Sequence, residues 1–144
     1  MLGKLLLAFG LMALCVVIHA TGVVAVFRKL HPQVARGARG FTPSTWRLIR
    51  VASWTILLHL LQILAWAAAY ALGRAMPDFT TAAYFSAVTY TTTGYGDLVL
   101  PSEWRVVGGV EALTGILMYG LSTGMFFAVF SEIFNLGRRE APPA

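Results

Sequence analysis

Charge is scarce in this chain. Of its 144 residues, 12% are Asp, Glu, Lys or Arg and 58% are hydrophobic. Soluble domains carry roughly 25% charged residues, so the composition points to a membrane protein. Cysteine is nearly absent. Cys15 stands alone inside an apolar run, which excludes an intrachain disulfide and any cysteine-based metal spacing; it reads as a small buried hydrophobe. Acidic residues are also few, 6 against 11 Lys plus Arg, for a net charge of +5. No activated nucleophile, metal-ligand cluster or phosphate-binding loop is found, so an enzyme is not expected. Internal repeats are missing, and no arginine recurs every third residue along a span as a voltage sensor needs.

What the chain does have is long apolar blocks. Three of them, 5–27, 51–72 and 106–134, reach the ~20 residues that cross a ~30 Å hydrocarbon core. The third is the longest and is expected to tilt or protrude. Arg28, Lys29, Arg36, Arg39, Arg47 and Arg50 lie between the first two blocks with no acidic residue among them. The positive-inside rule makes that loop cytoplasmic. The N-terminus is then outside, and the tail with Arg138 and Arg139 is inside. Wedged between spans, these charges read as topology signals that contact anionic lipid headgroups, not as a nucleic-acid patch.

Met1-Leu2-Gly3-Lys4 and the apolar run after it look like a signal peptide. The run is longer than a usual signal core and positive charge follows it, so a retained transmembrane helix over 1–27 is expected. His31-Pro32, Gly37, Gly40 and Thr42-Pro43 make 28–46 an irregular or briefly helical loop. A helix over 47–73 begins beside the interfacial anchor Trp46 and is closed by Gly73 and Pro77.

Asp78 is a good N-cap for a helix over 79–91, about 18 Å long. That is half a bilayer, which suits a re-entrant segment. The run Thr91-Thr92-Thr93-Gly94-Tyr95-Gly96-Asp97 follows. Irregular backbone at membrane depth must be buried in protein or line water. Gly94 and Gly96 allow backbone angles closed to other residues. Alternating permissive and ordinary residues can turn successive carbonyls toward one axis, where they replace a cation's hydration shell. A last helix spans 104–135, with a tail at 136–144.

The T-x-G-Y-G-D run, with a half-span helix before it and a spanning helix on each side, resembles the selectivity filter of the potassium channel superfamily. The resemblance covers about residues 47–135 and leaves the first helix outside. Together with the first apolar block, it implies an all-α membrane protein with three transmembrane helices, a re-entrant pore helix over 79–91 and a filter over 92–97, assembled as a four-fold symmetric homotetramer. By that resemblance the carbonyls of Thr92, Thr93, Gly94 and Tyr95, with Gly96 beside them, form the K+ sites, and the Thr92 hydroxyl adds the innermost ligand. Tyr95 braces the filter against an aromatic cuff containing Tyr84 and Phe85, and Asp97 sits behind the outer mouth. Potassium is the permeant ligand and no cofactor is implied. Two positions depart from the family pattern. Thr93 stands where valine or isoleucine is commoner. Val88 stands where some bacterial channels place a glutamate that pairs with the aspartate behind the filter.

Gly115 falls where related channels have a gating hinge, although packing also explains a glycine there. Thr123 is a candidate for the cavity wall, and Phe126, Phe127, Phe130 and Phe134 for a hydrophobic constriction. Glu111, a carboxylate inside a span, is expected to brace the pore helix or to accept a bond from Trp66. Glu132 reads as a snorkelling side chain or part of an acidic ring. His19 and His59 share a depth and either touch or bond backbone carbonyls, and Gln62 helps to glue helices. The expected function is a passive, potassium-selective channel in a bacterial-type inner membrane, with the gating stimulus unspecified. A pore subunit of a potassium uptake transporter and a weakly selective cation channel are the alternatives. The intact Gly-Tyr-Gly-Asp and the single pore segment weigh against both.

Overall fold

The computed structural model describes residues 2–35 and 41–138, with side-chain environments over 2–28 and 44–131. Its elements are α1 (Leu2–Ala35), α2 (Phe41–Leu72), α3 (Phe79–Tyr90), a 3-10 turn (Ser102–Trp104) and α4 (Arg105–Arg138). There is no strand among the described residues. Leu2–Arg28, Ser44–Leu72 and Ser102–Ser131 are each long and apolar enough to cross a membrane. The chain is an all-α, multi-pass membrane protein.

The loop expected over 28–46 is mostly helical: α1 runs on to Ala35 and α2 already starts at Phe41. Pro43 is the third residue of α2, where the backbone N–H has no helical acceptor in any case. Pro32 forfeits one bond near the end of α1, and that helix stops within a turn. The side chains of Lys29, His31, Arg36, Arg39, Glu132, Phe134 and Arg139 lie outside the described residues, so their expected roles meet no structural observation.

Lys4 at the start of α1 lies 3.8 Å from Glu103 and 4.6 Å above the Trp104 ring, next to the start of α4. Further along, His19 meets Ser122. The two helices therefore run parallel. The Trp54 indole donates to the Gly22 carbonyl and Gln62 reaches His19, so α2 runs antiparallel to α1. The buried side chains of α4, glycines aside, are Val107, Glu111, Thr114, Met118, Ser122, Met125 and Val129. Their spacing of three and four residues makes one helical stripe. It closes a core with Ala8 and Cys15 of α1, Trp66 and Tyr70 of α2, and Ala82, Phe85 and Tyr90 of α3.

Helix α2 ends in a left-handed cap. Ala75 N–H bonds the Tyr70 carbonyl and Arg74 N–H the Ala71 carbonyl, with Arg74 at φ 54°. This is a Schellman arrangement, but glycine is not at its left-handed position. Gly73 stands one residue earlier, where a Cβ would strike the Trp104 ring. Close approach of α2 to the start of α4 thus fixes the glycine, and Arg74 adopts the left-handed angle instead. At α3, the Asp78 carboxylate accepts from Thr81 N–H at 2.9 Å and Thr81 Oγ1 at 2.8 Å. The helix that follows is 12 residues long.

Candidate ion-conducting site

The site grows out of the end of α3. The chain leaves the helix by folding its next amides back over the last turn. Thr92 N–H bonds Thr89 O at 2.9 Å, and Thr93 and Gly94 N–H both bond Val88 O, at 3.0 and 3.3 Å. Beyond that point φ is positive at every second residue, +59° at Thr92, +59° at Gly94 and +77° at Gly96. An ordinary strand turns successive carbonyls to opposite sides. Alternating right- and left-handed residues turns them to one side. Glycine takes the left-handed angle freely. Thr92 does not, since a β-branched residue there is an outlier. Such strain costs about 1–3 kcal/mol and persists only where the surroundings over-determine it. Here the paired amides on either side hold Thr92 in place.

Thr91 to Asp97 are all exposed in the single chain, Tyr95 by 72%. The supports around them are few and specific. Thr91 Oγ1 donates to Ala87 O at 2.7 Å and shares a 2.8 Å bond with Thr93 Oγ1. Thr93 is thus fastened to the last turn of α3 through a hydroxyl pair that valine cannot make. The Tyr84 hydroxyl donates to Asp97 Oδ2 at 2.7 Å. With valine at 88, the tyrosine one turn earlier supplies Asp97 with its partner. The carboxylate acceptor holds the Tyr84 phenol above its ordinary pKa. Phe85 turns the other way from Tyr84 within this chain. It is buried and meets Tyr70 edge to face at 5.4 Å, inside the chain's own core and on a different face of α3 from Tyr84.

Gly115 sits against the end of α3, where a Cβ would collide with the Tyr90 carbonyl oxygen. Close approach of α3 and α4 alone requires glycine here. The Thr123 hydroxyl donates to the Tyr119 carbonyl one turn back, at 2.9 Å, and the residue is exposed. Phe127 is exposed by 72% and Phe130 by 47%, while Phe126 packs on the Val51–Met125–Val129 cluster.

Glu111 is fully buried and accepts from the Tyr70 hydroxyl at 2.7 Å and from Ser86 Oγ. Ser86 also reaches Ile63 O at 2.9 Å, so α2, α3 and α4 meet there. The bond once expected from Trp66 is not made. Trp66 Nε1 is buried with no oxygen or nitrogen partner among the described residues, with only the weak Cys15 sulfur beside it. His19 and His59 do touch, with ring centroids 5.5 Å apart, and their nitrogens bond side chains, not carbonyls. Tyr70, Ser86, Tyr90 and Ser122 complete these clusters. The signal for them is faint but helical: Ser86 and Tyr90 are four apart, and Glu111 and Ser122 are three turns apart on one stripe.

A family model described as ion channel matches residues 56–132, from α2 through α3 and the filter into α4. The potassium voltage-gated channel protein Shal of Drosophila melanogaster is 34% identical over 68 residues, 46% of this chain and 12% of that protein. The chain therefore matches only about an eighth of that relative's length. No solved structure matches. With a pore helix, a T-T-G-Y-G-D turn of alternating handedness and spanning helices on both sides, the chain belongs to the ion channel family and, within it, to the potassium channel superfamily.

Proposed function

We propose that the chain forms a homotetrameric, passive, potassium-selective channel. The observation that supports this reading is the alternation of positive φ at Thr92, Gly94 and Gly96, a pattern that can turn successive carbonyls toward one axis, in a segment that one chain leaves exposed. Four such strands around an axis would replace the hydration shell of a dehydrated cation. In this reading the carbonyls of Thr92, Thr93, Gly94 and Tyr95 are the K+ ligands. Gly96 completes the turn, and the Tyr84–Asp97 pair holds the outer mouth. The negative end of the α3 dipole favours a cation at the filter base. The name of the relative, a potassium channel, supports the choice of ion. The parallel packing of α1 and α4 puts the start of α1 at the same end as the start of α4, which agrees with an outside N-terminus and a basic cytoplasmic side in a cell membrane.

Cation flux from liposomes holding the purified protein tests this, with potassium or sodium gradients and barium as blocker. Barium-sensitive potassium flux with little sodium flux is expected. Equal sodium flux would replace the reading with a weakly selective pore. Absence of flux under every gradient would favour a transporter subunit.

A further inference from the structure

Behind the filter base, five side chains from all four helices close a ring of hydrogen bonds. Gln62 Nε2 meets His19 Nδ1 at 3.4 Å, and His19 Nε2 meets Ser122 Oγ at 3.3 Å. Ser122 Oγ meets His59 Nε2 at 2.9 Å, and His59 Nδ1 meets the Tyr90 hydroxyl oxygen at 3.2 Å. The Tyr90 hydroxyl then donates to Gln62 Oε1, at 2.5 Å. All five residues are buried.

With both imidazoles neutral, the hydrogen count of this ring closes in two ways. In one, the Gln62 amide donates to His19, His19 Nε2–H to Ser122, the Ser122 hydroxyl to His59, His59 Nδ1–H to Tyr90, and Tyr90 to Gln62. In the other, the Gln62 amide is turned over and every donation reverses. Each member donates once and accepts once in both cases. The two histidines then carry opposite tautomers. A proton added to either one turns an acceptor nitrogen into a donor. One link must reverse and a hydroxyl hydrogen must leave the ring.

Among the described residues no carboxylate bonds a member of the ring, and the acid whose charge reaches it is Glu111 of α4, through Tyr90. The titratable groups around it are Cys15 from α1, the other histidine, Tyr90 from α3 and Tyr119 from α4, whose ring lies 4.7 Å from that of His59. Glu111 of α4 lies farther toward the outer end, with Tyr70 and Ser86 on its oxygens. A buried charge without a partner is strongly disfavoured, so protonation and opening of the ring go together.

The place of the ring gives this a consequence. Tyr90 is the last residue of α3, its carbonyl is pressed on Gly115, and the filter follows directly. Ser122 lies on the same helix as Gly115, two turns on. We propose that the ring of His19, Ser122, His59, Tyr90 and Gln62 is a proton-sensitive latch. Neutral, it ties the pore helix and α4 to α1 and α2; acid opens it and lowers conduction. The conduction half rests on the channel reading above, and the latch itself does not.

Two measurements on the full-length chain in liposomes test the proposal. The first is 15N NMR of the imidazole nitrogens in a His31→Gln background, which leaves these two histidines. At pH about 8, above the ordinary histidine pKa of ~6.5, one Nδ1–H and one Nε2–H tautomer are expected. Two like tautomers, or a charged ring at that pH, would overturn the latch. The second is potassium flux, expected to fall about fivefold or more between pH about 8 and about 3, because a buried imidazole without a charge partner takes up its proton only well below its ordinary range. The pair His19→Gln and His59→Gln, whose amides keep a donor and an acceptor without titrating, should conduct with a flat profile. His59→Gln alone serves if the pair does not assemble. A flat wild-type profile, or equal acid sensitivity in the variant, would sink the proposal. Absence of flux at both pH values would count against the channel reading and the conduction half together, with the tautomer measurement still deciding the latch.

Discussion

Glu111 buries a carboxylate against two hydroxyls, Tyr70 and Ser86. Removing it strands the Tyr70 hydroxyl in an apolar core, whereas removing both partners leaves nothing unpaired. Glu111→Leu is therefore expected to cost about 1–3 kcal/mol, with part recovered in the double variant Glu111→Leu/Tyr70→Phe. Denaturant melts in detergent read the cycle, and strictly additive losses would show that the two residues are not coupled. Asp78 supplies a pH prediction. The Thr81 backbone amide and hydroxyl hold its carboxyl below the ordinary aspartate pKa. A depressed folded-state value means stability that is present above the ordinary ~3.9 and lost as pH falls through the lower folded value. Asp78→Ala should melt earlier than the parent at pH about 7, and the gap should narrow toward pH about 3. A gap unchanged with pH would remove the carboxylate from the cap. At this scale the sequence was partly legible. Asp78, the two filter glycines and a bracing role for Glu111 follow from residue type and position. The partners do not, because Tyr84 and Phe85 are adjacent aromatics that only the helix phase sends to opposite tasks, one to Asp97 and the other to Tyr70.

Among the elements, the joint between α3 and α4 is the tightest constraint. Gly115→Ala would drive a methyl into the Tyr90 carbonyl, which belongs to backbone and cannot swing aside. Overpacking of this kind costs about 1–3 kcal/mol. Gly120→Ala is the control, since a Cβ there meets nothing within 4 Å in the chain. Melting temperatures of the two variants in detergent should separate clearly, and equal values would mean that the joint can open. The presence of three spans was readable from the apolar blocks because a bilayer sets a minimum length, whereas α1 runs past its block to Ala35 and α2 begins before its block at Phe41. The helical turns around Pro32 and Pro43 were not, since proline reads as a breaker unless its distance from a helix end is known. Gly73 shows the same gap. Sequence marks it as a helix stop, while the side chain that requires it, Trp104, comes from another element.

The whole molecule is shaped by what one chain leaves uncovered. Leu113 is 68% exposed and Ile116 56% on α4, and Tyr95 is exposed with the backbone run around it. Lipid can cover the leucine and isoleucine. It cannot cover the backbone of Thr92 to Gly96, since unpaired carbonyls do not persist in hydrocarbon. The filter strand therefore needs protein or water around it, and one strand encircles nothing. Closed cyclic symmetry would meet both needs, and in the proposed tetramer Tyr95 would pack into a neighbouring copy. Native mass spectrometry from detergent is expected to give four copies of the 15.6 kDa chain. Tyr95→Ala should shift the population toward smaller species at the same protein concentration, because it removes a large aromatic from the contact between copies. Leu7→Ala on α1 is a suitable comparison: the residue is 41% exposed and lies in the helix outside the pore segment, so its loss should leave the assembly intact. A monomer for the parent, or equal dissociation in both variants, would mean that the filter segment is covered by something other than copies of itself.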